Sequence, residues 1–245
     1  MCYNSLAHHY DKMMVDVDYS WWIKIIEKNI EKGCRVLDVG CGTGTLSLAL
    51  TNSGYHVTGL DLSANMLVVA NEKAIEHGMK IDFIHRDMRE LDGLSGFDCV
   101  LIAVDSLNYL ENEDDVKQTF AGAYEALNGE GMLIFDVHTP YKMRSTFKDY
   151  LFVENGDELT YIWHIEEGEH PLSVVHELTI FAKTDADNYR RTIEYHHQRT
   201  FEMKQYEAWL AEAGFEMVTT DGDEDRQLFV ASRGQKSDVR GQNKR

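Results

Sequence analysis

The chain has 245 residues, of which 43% are hydrophobic and 27% are charged, and this is the composition of an ordinary globular protein. Its 24 Lys and Arg residues stand against 42 Asp and Glu residues, which gives a formal net charge of −18. Such a charge repels phosphate backbones and anionic lipids, so we expect no nucleic-acid partner and no membrane partner. The longest apolar run, residues 99–104, is far too short to span a membrane.

The N-terminal segment and the cysteines bear on the cellular compartment. The segment MCYNSLAHHYDK includes no apolar core of signal-peptide length. The 4 cysteines are widely spaced and form no Cys-x-x-Cys pair, which is typical of a reducing compartment. The sequence therefore predicts a cytoplasmic protein.

Residues 1–32 predict a helical cap in front of the first strand. Aromatic, histidine and methionine residues over 1–15 favour a short helix. Apolar positions at helical spacing favour a second helix, which starts near Asp18 or Ser20 and ends at Lys32.

From residue 33 to residue 140, short apolar strands alternate with helices. The strands are predicted at 34–39, 55–61, 80–88, 97–104 and 131–138, and the helices at 43–53, 63–77 and 113–127. Alternation at this spacing is typical of a parallel sheet with helices on both faces. Residues 33–140 are therefore expected to form the cofactor-binding core.

The pattern changes after Pro140. Three strand-like runs without a helical period, at 158–167, 172–183 and 189–201, predict an antiparallel β insertion over 141–201 that acts as a lid or a dimer contact. A helix and two strands over 202–232 then complete the core, and 233–245 predict a disordered tail. The expected fold class is α/β: a Rossmann-like, mostly parallel seven-stranded sheet with helices on both faces, plus the insertion before the last helix.

The segment VLDVGCGTG, residues 36–44, lies at a strand-to-helix turn. Glycines here permit a sharp turn and close approach of a ligand to the main chain, and Asp61 ends the next strand, where it is placed to bind a ribose diol. The spacing is GxGxG and not GxGxxG, which opposes a dinucleotide-dependent oxidoreductase. Asp38, two residues before the first glycine, suits the ammonium and sulfonium groups of S-adenosylmethionine (SAM).

Four segments, 36–44, 59–67, 86–91 and 97–110, resemble the motifs of the class I SAM-dependent methyltransferases. YDKMMVDVDYSWW and HHQRTF resemble a narrower group of small bacterial methyltransferases, mostly of unassigned substrate. The resemblance implies methyl transfer from SAM, by in-line displacement, to a nitrogen or oxygen of a small molecule, with carbon less favoured. The product of the cofactor is S-adenosylhomocysteine.

The same resemblance implies the cofactor-binding residues. They are Tyr10 as a lid, Asp38 at the amino group, Gly40, Gly42 and Gly44 under the methionine part, Asp61 and Leu62 at the ribose, Met66, Asp87 and Met88 at the adenine, and Asp105 after the fourth strand. The alternative for Met66 is core packing, and the alternative for Asp87 is a plain surface carboxylate.

The segment after the fourth strand faces the end of the sheet where ligands bind. Asn108 and Tyr109 are predicted to orient the nucleophile there, or else to cap the loop. His138 is the candidate general base, because its free pKa is near neutral, and the alternative is a purely structural hydrogen bond. Trp22 and Arg199 are predicted substrate contacts, against the alternatives of helix packing and a surface ion pair.

The insertion carries histidines and aromatic residues. Its histidines have no metal-ligand spacing, so we expect no metal; they are His164, His176, His196 and His197. Its aromatic residues suit a small, partly apolar acceptor; they are Tyr161, Trp163, Tyr189 and Tyr195. The insertion also offers a surface for a homodimer.

Other functions stay open at this point. A protein substrate is compatible with the sequence, whereas the charge opposes an RNA substrate. A non-catalytic SAM-binding partner subunit is a further alternative, since a fold can persist without activity.

Overall fold

The computed structural model describes residues 3–14, 17–185 and 188–234. Its helices in these ranges are α1 (Tyr3–Met13), α2 (Tyr19–Asn29), α3 (Thr45–Asn52), α4 (Ala64–Glu76), α5 (Glu113–Ala126) and α6 (Met203–Ala213). Its strands there are β1 (Arg35–Val39), β2 (His56–Asp61), β3 (Asp82–His85), β4 (Phe97–Ile102), β5 (Leu127–His138), β6 (Leu151–Asn155), β7 (Leu159–Glu167), β8 (Ser173–Lys183), β9 (Tyr189–Arg199), β10 (Phe215–Gly222) and β11 (Arg226–Arg233).

Seven strands form one sheet in the order β10-β11-β5-β4-β1-β2-β3. Strands β1 to β5 pair in parallel, whereas β11 is antiparallel to both β5 and β10. A separate antiparallel sheet, in the order β6-β7-β8-β9, is inserted before α6. The predicted fold class is therefore confirmed.

Helices cover both faces of the seven-stranded sheet. Strand β4 is buried at every position except Asp98, which is half-buried, as expected for a central parallel strand. One hydrophobic cluster joins the sheet to α5 and α6 and includes Phe120 and Tyr206. A second cluster joins it to α2 and α3 and includes Ile26 and Leu50.

The second sheet has one face with mixed apolar and polar character. Directly opposite residues on paired strands share a face, and the register places Ile165, His176 and His196 in one row. We call this the inner face; it comprises Tyr161, Trp163, Ile165, Val174, His176, Leu178, Ile180, Glu194, His196 and Gln198. Strand β6 was missed from the sequence, because its residues are all exposed and show no alternation.

Helix α1 lies between the core and the second sheet. Ala7 of α1 belongs to a hydrophobic cluster with Met66 and Val69 of α4 and with Leu178 and Ile180 of β8. The helix is therefore held by both layers.

The last strand extends past residue 232, where we predicted the core to end. Arg233 belongs to β11, and its guanidinium lies 4.5 Å from the ring centroid of Tyr124. Residues 235–245 of the predicted tail lie outside the described residues. No helix in the described part of the chain is long and apolar enough to cross a membrane.

Candidate active site

The turn between β1 and α3 is built by three glycines in the left-handed region. Their φ angles are 74° at Gly40, 55° at Gly42 and 73° at Gly44. A Cβ on Gly40 would lie 2.8 Å from the Cβ of Ser106, whereas a Cβ on Gly42 would meet nothing within 4 Å. The turn therefore packs closely against the loop after β4 and leaves open space above Gly42, as a cradle for a ligand requires.

A pocket lies above this turn. Tyr10 and Tyr19 line it from the N-terminal segment, and Val104 and Ser106 line it from the loop after β4. The predicted lid residue Tyr10 is thus at the pocket. Burial, followed by the charge of Tyr109, raises the pKa of Tyr10 well above its ordinary value, so its hydroxyl stays protonated and available as a donor.

Asp38 supplies a buried carboxylate to the wall of this pocket. It is 2% exposed, and its Oδ2 accepts a hydrogen bond of 2.5 Å from the hydroxyl of Ser47. Burial raises the pKa of Asp38 to about 6, although the Ser47 bond acts in the opposite direction. A buried carboxylate with no cation beside it among the described residues fits the ammonium group of SAM.

Asp61, at the end of β2, is tied to the glycine turn. Its Oδ2 accepts from the backbone N–H of Gly42 at 2.8 Å, and its Oδ1 accepts from the N–H of Ser63 at 2.8 Å. Burial raises the pKa of Asp61. These bonds fix the carboxylate beside the cradle, where the ribose hydroxyls are predicted to bind.

The predicted adenine residues lie on α4 and in the segment after β3. Met66 is 8% exposed and packs in the cluster that holds α1, whereas the Leu62 side chain is 65% exposed. Met88 packs at the edge of the core cluster. Both Asp87 oxygens accept from Arg89, at 2.9 and 2.6 Å, and this pairing lowers the pKa of Asp87. An adenine amino group would share that carboxylate with Arg89.

The loop after β4 is strained. Val104 and Asp105 have φ angles of 55° and 52°, which cost about 1–2 kcal/mol per residue for side chains other than glycine. The backbone N–H of Asp105 donates to Oδ1 of Asp136 at 3.1 Å. A fully buried carboxylate at the end of β5 therefore helps to hold this conformation.

The Asp105 side chain belongs to an ion-pair network. Its Oδ1 accepts from Arg226 at 2.9 Å, and its Oδ2 accepts from Gln198 at 3.2 Å and lies 3.4 Å from Nε2 of His138. Burial alone raises the pKa of Asp105, but His138 and Arg226 outweigh it and hold the pKa well below its usual range. The carboxylate points into this network, and its neighbours Val104 and Ser106 line the pocket instead.

His138 and His176 share one acceptor. Nε2 of His138 lies 3.2 Å and Nε2 of His176 lies 2.9 Å from Oε1 of Gln198, and because an amide oxygen only accepts, both imidazoles donate through Nε2. Trp163 donates to Nδ1 of His176 at 3.0 Å, and burial lowers the pKa of His176 to about 4. Nδ1 of His138 has no hydrogen-bond partner among the described residues, so only that atom is open for the predicted base role.

Asn108 and Arg199 have structural partners at both ends. Oδ1 of Asn108 accepts from the N–H of His138 at 2.9 Å, and its Nδ2 donates to the carbonyl of Arg199 at 2.8 Å. The Arg199 guanidinium donates to the carbonyls of Glu111 at 2.7 Å and Pro171 at 3.2 Å. The structure thus places both side chains as braces between β9 and the core.

Two other predicted contacts are separated from the pocket. Trp22 is 1% exposed in the cluster beneath α2, so its side chain has no route to a substrate and the packing alternative fits. The four aromatic residues of the insertion divide between faces: Tyr161 and Trp163 are on the inner face, whereas Tyr189 and Tyr195 are exposed on the other. They do not line one acceptor pocket, because successive strand residues point to opposite faces.

Several site residues were missed from the sequence. The alternation in HELTI and EYHHQ signals that His176, Glu194, His196 and Gln198 face one way, but only the register across β8 and β9 shows what they face. Nothing local marks Arg226 as a partner of Asp105. Within the ranges that the structure describes, no group of three or more His, Cys, Asp or Glu side chains is arranged to hold a metal.

The fold, the glycine cradle and the carboxylates of Asp38 and Asp61 together define a class of protein. Residues 36–131 match the family described as Methyltransferase domain. The chain is 45% identical to GWCH70_2453, an uncharacterised methyltransferase of Geobacillus sp. (strain WCH70), over 91% of this chain and 92% of that protein. The chain therefore belongs to the SAM-dependent methyltransferases.

Two solved structures share its architecture. A SAM-dependent methyltransferase from Clostridium acetobutylicum ATCC 824 has a TM-score of 0.84 at 27% identity and covers 96% of this chain and 100% of its own. CalS10, an amino pentose methyltransferase from Micromonospora echinaspora, was solved with SAM bound. It has a TM-score of 0.72 at 22% identity and covers 92% of this chain and 96% of its own. The enzyme uses SAM as its methyl donor, and the cradle, Asp38 and Asp61 are the residues that fit it.

Proposed function

We propose that the enzyme transfers the methyl group of SAM to a nitrogen of a small-molecule amine, with an oxygen nucleophile as the second choice. SAM supplies a methyl group already activated on a sulfonium. The chain must hold the acceptor atom about 3 Å away and in line with the breaking bond. The observation that carries the proposal is the enclosure of the acceptor side by the second sheet.

Strand β9 reaches across to the loop after β4. Hydrogen bonds join them, including Gln198 with Asp105 at 3.2 Å, the Arg199 carbonyl with Asn108 at 2.8 Å, and His196 with Tyr109 at 3.2 Å. These contacts bring the inner face over the carboxyl ends of β4 and β5, while α1 covers the cofactor side. A site walled in this way favours a small acceptor over a protein surface.

Charge favours an amine among small acceptors. The buried Glu194 carboxylate on the inner face has no Lys or Arg beside it among the described residues, and the chain as a whole carries −18. Such a field concentrates cations. CalS10, which shares the fold, is an amino pentose methyltransferase, so a small acceptor that carries an amine is compatible with this fold.

The cofactor half of the proposal is tested by calorimetric titration of SAM into the enzyme. Asp61→Ala removes a charged hydrogen-bond acceptor beside the cradle, so we expect SAM affinity to fall about 10- to 100-fold. Asp82→Ala is the matched control, because Asp82 is exposed on the neighbouring strand. Equal affinities for SAM in the wild type and Asp61→Ala would contradict the assignment of the ribose site.

The acceptor half is tested with methyl-labelled SAM. The panel is glycine, ethanolamine and glucosamine as amines, glycerol and catechol as hydroxyl compounds, and a cell extract as a source of proteins. We expect label on amines. Label on proteins alone would overturn the small-molecule proposal, and SAM binding without any transfer would favour the non-catalytic partner subunit.

A further inference from the structure

A buried carboxylate on the inner face has no hydrogen-bond partner. Glu194 is 6% exposed, and neither of its oxygens accepts a hydrogen bond from any described residue. It lies on β9 opposite the apolar Leu178. Among the described residues the ionisable group beside it is His196, whose Nε2 lies 3.5 Å from Oε2 of Glu194. A buried carboxylate is costly unless it is paired, so this pair is the feature to explain.

His196 connects Glu194 to the loop after β4. Its Nδ1 lies 3.2 Å from the hydroxyl of Tyr109, and the two rings meet edge to face with centroids 6.0 Å apart. Nε2 of His196 makes no hydrogen bond to a described residue, but the Glu194 carboxylate 3.5 Å away favours a proton on that nitrogen. A neutral imidazole with its proton there accepts from Tyr109 at Nδ1. An acid, an imidazole and a hydroxyl in this order form the arrangement that activates a hydroxyl for proton transfer.

Tyr109 lies in the same short segment as one residue of the cofactor pocket. It ends a short 3-10 helix that begins at Ser106, and Ser106 lines the pocket and donates to the carbonyl of Gly40 at 3.2 Å. Tyr10 lines the same pocket, and Tyr109 itself is outside its lining. An acceptor seated between this pocket and β9 would meet the Tyr109 hydroxyl, with His196 behind it.

We propose that Tyr109, His196 and Glu194 form a relay that removes a proton from the acceptor amine; this rests on the proposed function. An N–H bond of the acceptor ammonium breaks, and its proton passes to the Tyr109 oxygen as the proton of Tyr109 passes to Nδ1 of His196. The neutral nitrogen then forms a bond to the methyl carbon, and the carbon–sulfur bond breaks with its electron pair left on sulfur. The imidazolium that results stands beside the Glu194 carboxylate.

The roles within the relay differ. In this relay Tyr109 is the catalytic residue, because it is the member that would contact the acceptor, whereas His196 and Glu194 act through it as positioning residues. His138 is the other imidazole near this loop, but its Nε2 lies against Gln198 and Asp105. Nε2 of His138 therefore helps to hold the loop after β4, and only its Nδ1 is left for the base role that the sequence predicts.

The first test needs no acceptor. Nitrogen-15 NMR of the full-length enzyme without ligand reports which imidazole nitrogen of His196 is protonated, with His196→Gln used for assignment. We expect protonation at Nε2 in the wild type and a shift toward the other tautomer in Glu194→Met. Glu177→Met, on the opposite face of β8, is the control and should leave the His196 signal unchanged. A wild-type His196 protonated at Nδ1 overturns the relay whatever the acceptor proves to be.

The second test uses the amines of the labelling panel. His196→Gln and Tyr109→Phe should each lower kcat about 100-fold, the size of a general-base contribution, without changing the Kd for SAM. His197→Gln is the matched control, since His197 is exposed on the other face of the same strand. An unchanged kcat in both variants overturns the relay and leaves the proposed function standing. Absence of amine methylation in a wild type that binds SAM overturns the proposed function, and the NMR measurement still decides the relay geometry.

Discussion

The two sheets determine the positions of their functional groups in different ways. In the core, Asp38, Gly40 and Asp61 lie within one strand–helix–strand unit. Hydrogen bonds within that unit hold them together, such as the one from the Gly42 N–H to the Asp61 carboxylate. In the second sheet, Gln198 meets Asp105 across 93 residues of sequence. The cofactor half is therefore specified locally, whereas the acceptor half depends on how two layers pack. We therefore expect substitutions in the two halves to change different measured properties of the enzyme.

The largest effect is expected on stability, in the buried ion-pair network of the core that Gln198 of the second sheet contacts. Arg226→Met leaves Asp105 and Asp136 without their cation, and breaking a buried pair costs about 3–5 kcal/mol of unfolding free energy. Burial already raises the pKa of Asp136 to about 6 despite Arg226, so removal of the arginine favours the neutral carboxyl further. The loss, measured by urea unfolding, should be smaller at about pH 5 than at about pH 8.

Arg191→Met is the control for this measurement, because Arg191 is exposed on β9. A stability loss equal in the two variants, or one that does not shrink in acid, would show that Asp105 and Asp136 do not depend on Arg226 for their counter-charge.

The second-largest effect is expected on SAM affinity, from a substitution in the core alone. Gly40→Ala places a Cβ 2.8 Å from that of Ser106 at a φ of 74°, so the turn must shift. We expect SAM affinity to fall about 10- to 100-fold with little change in the unfolding of the second sheet. Gly129→Ala is the control, since its Cβ would meet nothing within 4 Å. Normal SAM binding by Gly40→Ala in titration calorimetry would argue against the cradle.

The difference between a locally specified cofactor half and an acceptor half that depends on packing also decides which residues could be predicted from the sequence. The cradle and Asp61 follow from spacing, because a GxGxG turn and an acid one strand later have a fixed geometry in a parallel sheet. Strand β6 has no buried side, so no alternation marked it. Glu194 and His196 were visible as strand residues, but their meeting with Tyr109 depends on where the second sheet lies. Asn108 and Arg199 were expected at the substrate, with a loop cap and a surface ion pair as the alternatives. The structure shows that their polar groups bond β9 to the core, and contact with a substrate stays a prediction.

The buried carboxyl of Asp38 predicts that SAM affinity in the core depends on pH. Its pKa is raised from 3.8 to about 6, so the folded state binds a proton more tightly than the unfolded state, and this group's contribution to stability falls as pH rises from about 4 to about 6. SAM binding needs the opposite form, because its ammonium pairs with the carboxylate. We expect SAM affinity to weaken as pH drops through about 6, and Asp38→Asn to bind about tenfold more weakly with a flatter pH profile. A wild-type profile identical to that of Asp38→Asn would exclude this contact.

The smallest effect is expected at the contact between α1 and the cradle. Asp11 accepts from Thr43 at 2.6 Å and from Lys73 at 2.7 Å, and these bonds lower the pKa of Asp11 although burial raises it. The Asp11 side chain is 40% exposed, so the pair contributes less than about 1 kcal/mol. Asp11→Ala should therefore speed SAM dissociation by no more than about fivefold, because α1 carries Tyr10 away from the pocket more often. Stopped-flow fluorescence measures this rate, with Glu72→Ala, exposed beside Lys73 on α4, as the control. An unchanged rate would mean that the hydrophobic packing of α1 between the two layers closes the pocket without this contact.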